Sequence, residues 1–502
     1  MKNKNNFSKL LIGALGIVFG DIGTSPIYTL KECLNPIFGI ALTPENIIGI
    51  LSVLFWSLIV VVIFKYTIFI MQADNKGEGG VMSLCSLIIS NMQKGKTLLL
   101  ITSIGLIGTS LLFADGMITP AITVLSAIEG LAVATPVFKP FILPFTIIVL
   151  ITLFLSQKHG TEKIGKIFGP VMILWFSSLA LLGINSIIKA PIVFSALNPL
   201  NALGFFLRNG LMSFFILSAI VLAITGVEAL FADMGHFGKK PIRFAFYFLV
   251  LPSLTLNYFG QGASVIIHGT KALENPFYFI CPTWFIYPLI IIATLAAIVA
   301  SQAMISGAFS VFQQAMQLGY APKLKVIHTS EDIHGQIYIP FISNFLMISC
   351  ILLVLTFRSS GNLASAYGMA VMGTMLCTTI LFSIVIRKIW KWKRRFTIPL
   401  LVSFLTVDLS FLGANLSKVM SGGWLPLVVA ILIFVIMFTW KDGTQAVYEY
   451  INKENIPLDN IINDLKSGHS QITRVAGNAI FMLGRRTNLN VLLHHLKHNK
   501  VL

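Results

Sequence analysis

Charge is scarce in this chain, and acids are scarcer than bases. Of 502 residues only 11% are charged, and 19 are aspartate or glutamate against 36 lysines and arginines. Soluble domains carry roughly 25% charged residues. With 56% hydrophobic residues and a mean hydropathy of +0.85, the chain reads as an integral membrane protein. The formal charge of +17 points to no nucleic acid, because the basic residues sit in short loops between apolar runs. Cysteine is scarce too. Cys33, Cys85, Cys281, Cys350 and Cys377 are scattered, with no C-x-x-C pair, which leaves neither a disulfide framework nor a zinc site. Neither H-E-x-x-H nor G-x-S-x-G occurs and no catalytic dyad stands out, so no enzymatic activity and no cofactor are expected. No TVGYG-like filter marks a channel. The first apolar run contains Asp21 and lacks a small-residue cleavage pattern, so it reads as a retained helix.

Long apolar runs are what the chain has in plenty. A spanning helix needs about 20 mostly apolar residues. Twelve such runs are legible, roughly at 10–31, 46–70, 98–130, 141–157, 167–188, 211–232, 243–260, 284–316, 338–357, 362–386, 396–416 and 424–440. With the N-terminus inside, the inner loops hold 20 lysines and arginines, six of them between Arg387 and Arg395. The outer loops hold 7: Lys31, Lys139, Lys189, Arg208, Lys271, Arg358 and Lys418. That asymmetry places both termini in the cytoplasm of a multi-pass protein in a cell membrane. A transmembrane domain over 1–440 is followed by a polar cytoplasmic segment, 441–502, too short to bury a full core.

Two spans are unusual in the same way. The first carries "FGDIGTSP" and the sixth "AITGVEALFADMG", each joining glycine, an acid and small polar residues inside an apolar helix. They are five spans apart, the mark of an inverted-repeat transporter with its site at the midplane. Repeat one would run over about 10–190 and repeat two over about 211–390, with two extra helices at about 396–440. Gly20, Gly23 and Pro26 oppose continuous helical bonding around Asp21. Freed carbonyls and a carboxylate are hard oxygen donors and suit a hard cation; the alternative is a proline kink beside a hydrogen-bonded acid. In the third span Asp115, Thr119 and Thr123 are spaced by four and share a helix face, although each threonine can instead bond back to the preceding turn. Glu129 lies near the outer end of that span, where a solvated role is expected. In the sixth, Thr225 and Glu228 are three apart, whereas Asp233 falls at the inner edge and reads as interfacial. Desolvation favours the protonated form of a buried carboxyl, which makes Glu228 the natural proton carrier. Tyr28, Tyr367 and Asp408 are further polar groups at membrane depth; tyrosines there are more often packing residues, and Asp408 lies in the appended pair. The loop "QADNKGEGGVMSL" matches no phosphate-binding pattern and reads as a turn capping the next helix.

The stretches "GIVFGDIGTSPIYTL", "ADNKGEGG", "DGMITPAITVLSAIEGL", "GVEALFADMGHFG", "SGGWLP" and "LLHHLKHNKVL", in that order, resemble the signatures of the Kup/HAK/KT potassium transporters from the first span to the last residue. The resemblance implies the fold of the amino-acid/polyamine/organocation superfamily: all-α, LeuT-like, with a five-plus-five inverted repeat, broken helices 1 and 6, and two added helices. It implies potassium uptake coupled to protons by alternating access across a bacterial inner membrane. It places the cation site on Asp21, Tyr28, Asp115, Thr119, Thr123, Thr225 and Tyr367, proton coupling on Glu228, and a supporting acid at Asp408. Potassium, protons and the lipid bilayer are then the partners. Members usually continue through a cytoplasmic domain beyond "HNKVL", so a homodimer built through that domain is an open assembly for this chain. An amino-acid/cation symporter of the same fold and a cation channel are the competing functions. The acids argue against the first, since a substrate carboxylate prefers helix N-termini without carboxylates nearby.

Overall fold

The computed structural model describes residues 2–92, 96–159, 161–329, 337–453, 458–467, 472–473, 475–478, 480 and 490–501. Helix dominates. Eleven helices are long and apolar enough to cross a membrane, and a bent pair makes a twelfth. In chain order, span 1 is Phe7–Ile17 plus Gly20–Ile27, span 2 Pro44–Gln72, span 3 Thr97–Ala134, span 4 Pro136–Ser156 and span 5 Ile167–Ile187. Span 6 is Pro199–Ile224, continued after a break by Val227–Ala232. Spans 7 to 10 are Lys239–Ala272, Thr283–Gln317, Pro340–Phe357 and Ser360–Ile389, and spans 11 and 12 are Arg394–Leu416 and Val419–Tyr450. Every expected run is therefore a helix. The largest shifts are in span 7, which runs to Ala272, and in span 6, which begins at Pro199 and turns at Gly210, whose φ of 52° only glycine adopts freely.

The packing repeats with a shift of five. Spans 3 and 8 pack on each other; span 10 lies on span 3 as span 5 lies on span 8. Span 1 meets span 5 as span 6 meets span 10, and span 2 meets span 6 as span 7 meets span 1. That is the contact pattern of a five-plus-five inverted repeat, and span 11 packs outside it on spans 10 and 6. Small residues allow the closest approaches. A Cβ on Gly260 of span 7 would sit 2.4 Å from Gly183 Cα of span 5. Large side chains such as Ile148, Leu207 and Phe248 face outward, where lipid tails rather than a core receive them.

Both broken spans depart from a straight helix for identifiable reasons. Span 1 bends by 56° at Val18–Phe19, one turn before the expected point, and Gly20–Thr24 is a short helix in its own right. Pro26 then sits in a 3₁₀ turn, Ser25–Ile27, where its missing N–H costs nothing. A Cβ on Gly20 would meet Ala300 Cα at 2.7 Å, so span 8 presses on the backbone at the bend. Span 6 opens at Thr225, which is extended, and at Gly226, whose φ is +84°. Span 2 holds a π-helical stretch, Leu58–Phe69, in which the Thr67 hydroxyl donates to Val62 O at 2.7 Å.

The chain divides into two compact units. The larger comprises Met1–Leu318 with Lys323–Val435; the smaller comprises Gly319–Pro322 with Ile436–Leu502. Within the smaller unit, helices Leu458–Lys466 and Asn490–Asn499 share a minor apolar cluster of Ile461 and Leu496.

Candidate cation site

The two breaks meet. The Asp21 carboxylate, only 2% exposed, lies against Gly226; a Cβ on that glycine would sit 2.9 Å from Asp21 Oδ2. Glycine at this point thus serves two ends, the positive φ and the approach of the acid. The Tyr367 hydroxyl, from span 10, lies 3.1 and 3.0 Å from the two Asp21 oxygens and donates to them. The Thr119 hydroxyl lies 3.0 Å from Tyr367 Oη and 3.3 Å from Asp115 Oδ1. Asp115 is 3% exposed. Three spans, 1, 3 and 10, thereby bring two carboxylates, a phenol and a threonine hydroxyl to one buried centre beside the break in span 6.

The remaining expected residues fall around it. The Thr225 hydroxyl is 3.4 Å from Ser25 Oγ and donates to Leu222 O at 2.9 Å. The Tyr28 hydroxyl is buried without a hydrogen-bond partner among the described residues. Thr123 bonds back to Thr119 O at 2.6 Å, the local alternative open to it from sequence. The freed carbonyls of span 1 are not bare. The Thr24 hydroxyl donates to Asp21 O, Trp175 Nε1 to Gly23 O at 2.8 Å, and Gln261 Nε2 to Pro26 O at 2.9 Å. Spans 5 and 7 therefore hold the broken backbone.

Glu228 and Asp408 stand in a second, linked network. The Tyr66 hydroxyl donates to Glu228 Oε1, and the Thr378 hydroxyl lies 3.0 Å from the same oxygen. The neighbouring residues of both elements serve Asp408: Lys65 Nζ is 2.5 Å from Oδ1 and the Thr379 hydroxyl 2.6 Å from Oδ2. Lys65 and Asp408 are 1% and 0% exposed, a buried ion pair between spans 2 and 11. Asp408 is thus tied structurally to the acid of span 6 through adjacent residues. Lys65, Tyr66, Thr378 and Thr379 were not singled out from sequence. A lysine at position 20 or so of an apolar span was the available signal, since such charges are rarely idle.

Three further expectations change. Glu129 is not merely solvated: Ser360 N and Oγ donate to it at 2.8 and 2.5 Å, and Lys31 Nζ is 3.6 Å away. Asp233 caps the end of Val227–Ala232, the edge expected of it, but is buried rather than solvent-facing, 4% exposed, and its Oδ2 has no partner among the described residues. The glycine loop is a turn, with Gly77 N donating to Asp74 Oδ2 at 2.8 Å, but Gly80 caps the next helix without a side chain. A Cβ on Gly79 would meet Phe231 O at 1.9 Å, so this loop lies directly against the end of span 6. Asp74 also binds Lys239 at 2.7 Å. Partial burial opposes ionisation of Asp74, but the Lys239 ammonium and the Gly77 N–H outweigh it and hold the carboxyl below its ordinary range.

Interrupted helices meeting at a buried, acid-bearing centre inside an inverted repeat define the architecture of a secondary transporter. The chain belongs to the K+ potassium transporter family, whose integral membrane domain matches residues 8–445. It is 50% identical over 498 residues to a probable potassium transport system protein Kup of Anaeromyxobacter sp. (strain Fw109-5), covering 99% of this chain and 74% of that one. It is 48% identical over 501 residues to a protein of the same description from Burkholderia pseudomallei (strain K96243), covering 99% and 79%. Among solved structures, a mutant manganese transporter of Eremococcus coleocola is similar at a TM-score of 0.44 and 12% identity, over 88% of this chain and 95% of that one, a likeness too weak to bear on the fold.

Proposed function

We propose that this protein takes up potassium across a bacterial cell membrane, driven by protons, through alternating access, with both termini in the cytoplasm. The observation that carries the reading is the Asp21 carboxylate, buried between Gly226 at one break and Tyr367 of span 10. Asp21 and Asp115 supply charge to one dehydrated cation, and Tyr367, Thr119, Thr225 and Tyr28 supply neutral oxygens. Hard oxygen donors of this kind replace the hydration shell of an alkali ion. That the relatives are described as potassium transport proteins supports potassium as the ion. Thr123, directed to backbone, shapes the helix face that carries Thr119.

Glu228 is the coupling group. It is buried, sits three residues after Thr225 and takes its hydrogen bonds from Tyr66 and Thr378, away from Asp21. Protonation removes a buried negative charge and eases closure around the loaded site. The inside placement of the termini rests on the lysine and arginine asymmetry. The competing amino-acid symport is disfavoured by two carboxylates standing where a substrate carboxylate would need donors.

Substitution of either acid tests the site. Asp21→Asn and Asp115→Asn keep shape and remove charge, and each abolishes rubidium uptake into proteoliposomes while membrane expression is retained. Near-normal uptake by either variant would remove that acid from the site.

A further inference from the structure

The stretch Arg387–Arg395 sets six cations among nine residues, Arg387, Lys388, Lys391, Lys393, Arg394 and Arg395, and no acid. None of the six forms an ion pair among the described residues. The positive-inside rule accounts for such charge but not for its arrangement. Lys391, Trp392 and Lys393 line a groove of about 610 Å³ together with Phe69 of span 2 and Phe396 and Leu400 of span 11. Two lysines thus line a slot whose remaining walls are aromatic and aliphatic.

The slot is built rather than incidental. Lys391 has a φ of +55°, which a side chain such as lysine rarely adopts. Trp392 N returns to Ile386 O at 3.1 Å, and the Trp390 and Trp392 rings lie 5.5 Å apart, so the turn is held from both ends. Trp392 also packs edge-on to Phe69 at 6.3 Å. Tryptophan and lysine at the end of a span are the pair that settles at headgroup level. Phe396 is 60% exposed and Trp392 41%, apolar surface that the described residues leave uncovered.

We infer that this groove binds one anionic phospholipid, its phosphate between Lys391 and Lys393 and an acyl chain along Phe69, Phe396 and Leu400. A phospholipid satisfies both halves at once, the charge and the apolar wall. A free phosphate satisfies only the first, and a zwitterionic lipid leaves two ammonium groups without a net counter-charge. The site bears on transport by position. Phe69 ends the π-helical stretch that carries Lys65 and Tyr66, and both Phe69 and Phe64 pack on Phe404 of span 11, one turn before Asp408. A lipid seated there braces the two elements joined by the buried ion pair.

The test uses the full chain in nanodiscs of phosphatidylcholine alone or of phosphatidylcholine with phosphatidylglycerol. Thermal unfolding is followed, and retained lipid is counted by native mass spectrometry. Phosphatidylglycerol raises the Tm of the unsubstituted protein and stays bound on release from the disc. Lys391→Gln/Lys393→Gln lowers apparent affinity by about tenfold to thirtyfold and removes most of the rise, while its Tm in phosphatidylcholine is unchanged. Should that variant be unstable, Lys391→Arg/Lys393→Arg retains both charge and the rise. Lys323→Gln/Lys325→Gln, basic residues outside the groove, leaves the rise intact. The inference is overturned if the Gln variant responds like the unsubstituted protein. It is equally overturned if Lys323→Gln/Lys325→Gln loses the response, or if inorganic phosphate in phosphatidylcholine discs reproduces it.

Discussion

At the residue scale, four buried acids of the spans fall into two hydrogen-bonded networks. Asp21 and Asp115 face a shared centre, whereas Glu228 and Asp408 are held by residues that are adjacent pairs in sequence, Tyr66 with Lys65 and Thr378 with Thr379. If Glu228 carries the proton, Glu228→Gln mimics its loaded state. The variant keeps rubidium binding but loses both gradient-driven accumulation and the dependence of uptake on external pH. Proton flux and rubidium uptake in proteoliposomes under an imposed pH gradient measure this, and accumulation that still follows the gradient would pass the role to Asp115. The Lys65–Asp408 pair makes a second, energetic prediction. Removing one partner of a buried ion pair leaves a bare charge and costs about 3–5 kcal/mol, while replacing both with apolar groups costs far less. Lys65→Met therefore lowers the Tm more than Lys65→Met/Asp408→Leu does. A double variant that loses the sum of the losses of Lys65→Met and Asp408→Leu would mean that the two groups act independently.

At the element scale, the decisive contact is that of two interrupted helices. Span 6 opens where Gly226 has a φ of +84°, and Asp21 occupies the space a side chain would take. Gly226→Ala introduces both a strained backbone and a clash at 2.9 Å with Asp21 Oδ2. Uptake falls by about fivefold to 150-fold, the effect of some 1–3 kcal/mol of strain at the site. Gly307→Ala in span 8, with open space at its Cβ, is the control and transports normally. The position of the span 1 break was only partly legible. Gly20, Gly23 and Pro26 announce an interruption, but the bend falls before all three, at Val18–Phe19, because span 8 presses its backbone against Gly20. That pressure is a tertiary fact with no local signal.

At the scale of the whole molecule, the larger compact unit, which ends at Val435, holds every residue of the proposed ion and proton sites. Deleting the chain from about residue 450 consequently leaves the preference for potassium over sodium unchanged, although abundance in the membrane falls. Competition of sodium against rubidium uptake reads this directly, and an altered preference would place the C-terminal segment on the ion path. Apolar length and the pairing of odd spans five apart were enough to foresee twelve helices in two repeats, because a membrane allows a chain few other solutions. Asp21, Asp115 and Glu228 were legible for the same reason: a carboxyl in an apolar run is costly and conspicuous. Their partners were not. Tyr367 is 346 residues from Asp21, and Lys65 is 343 from Asp408. A hydroxyl or an ammonium becomes a partner only when packing brings its helix face to the acid. Composition and spacing therefore determined the class of protein, its spans and which of its acids are buried in them. Only the tertiary structure decided which oxygens meet, because contact between distant helices depends on their rotation and depth, and neither is written in local sequence.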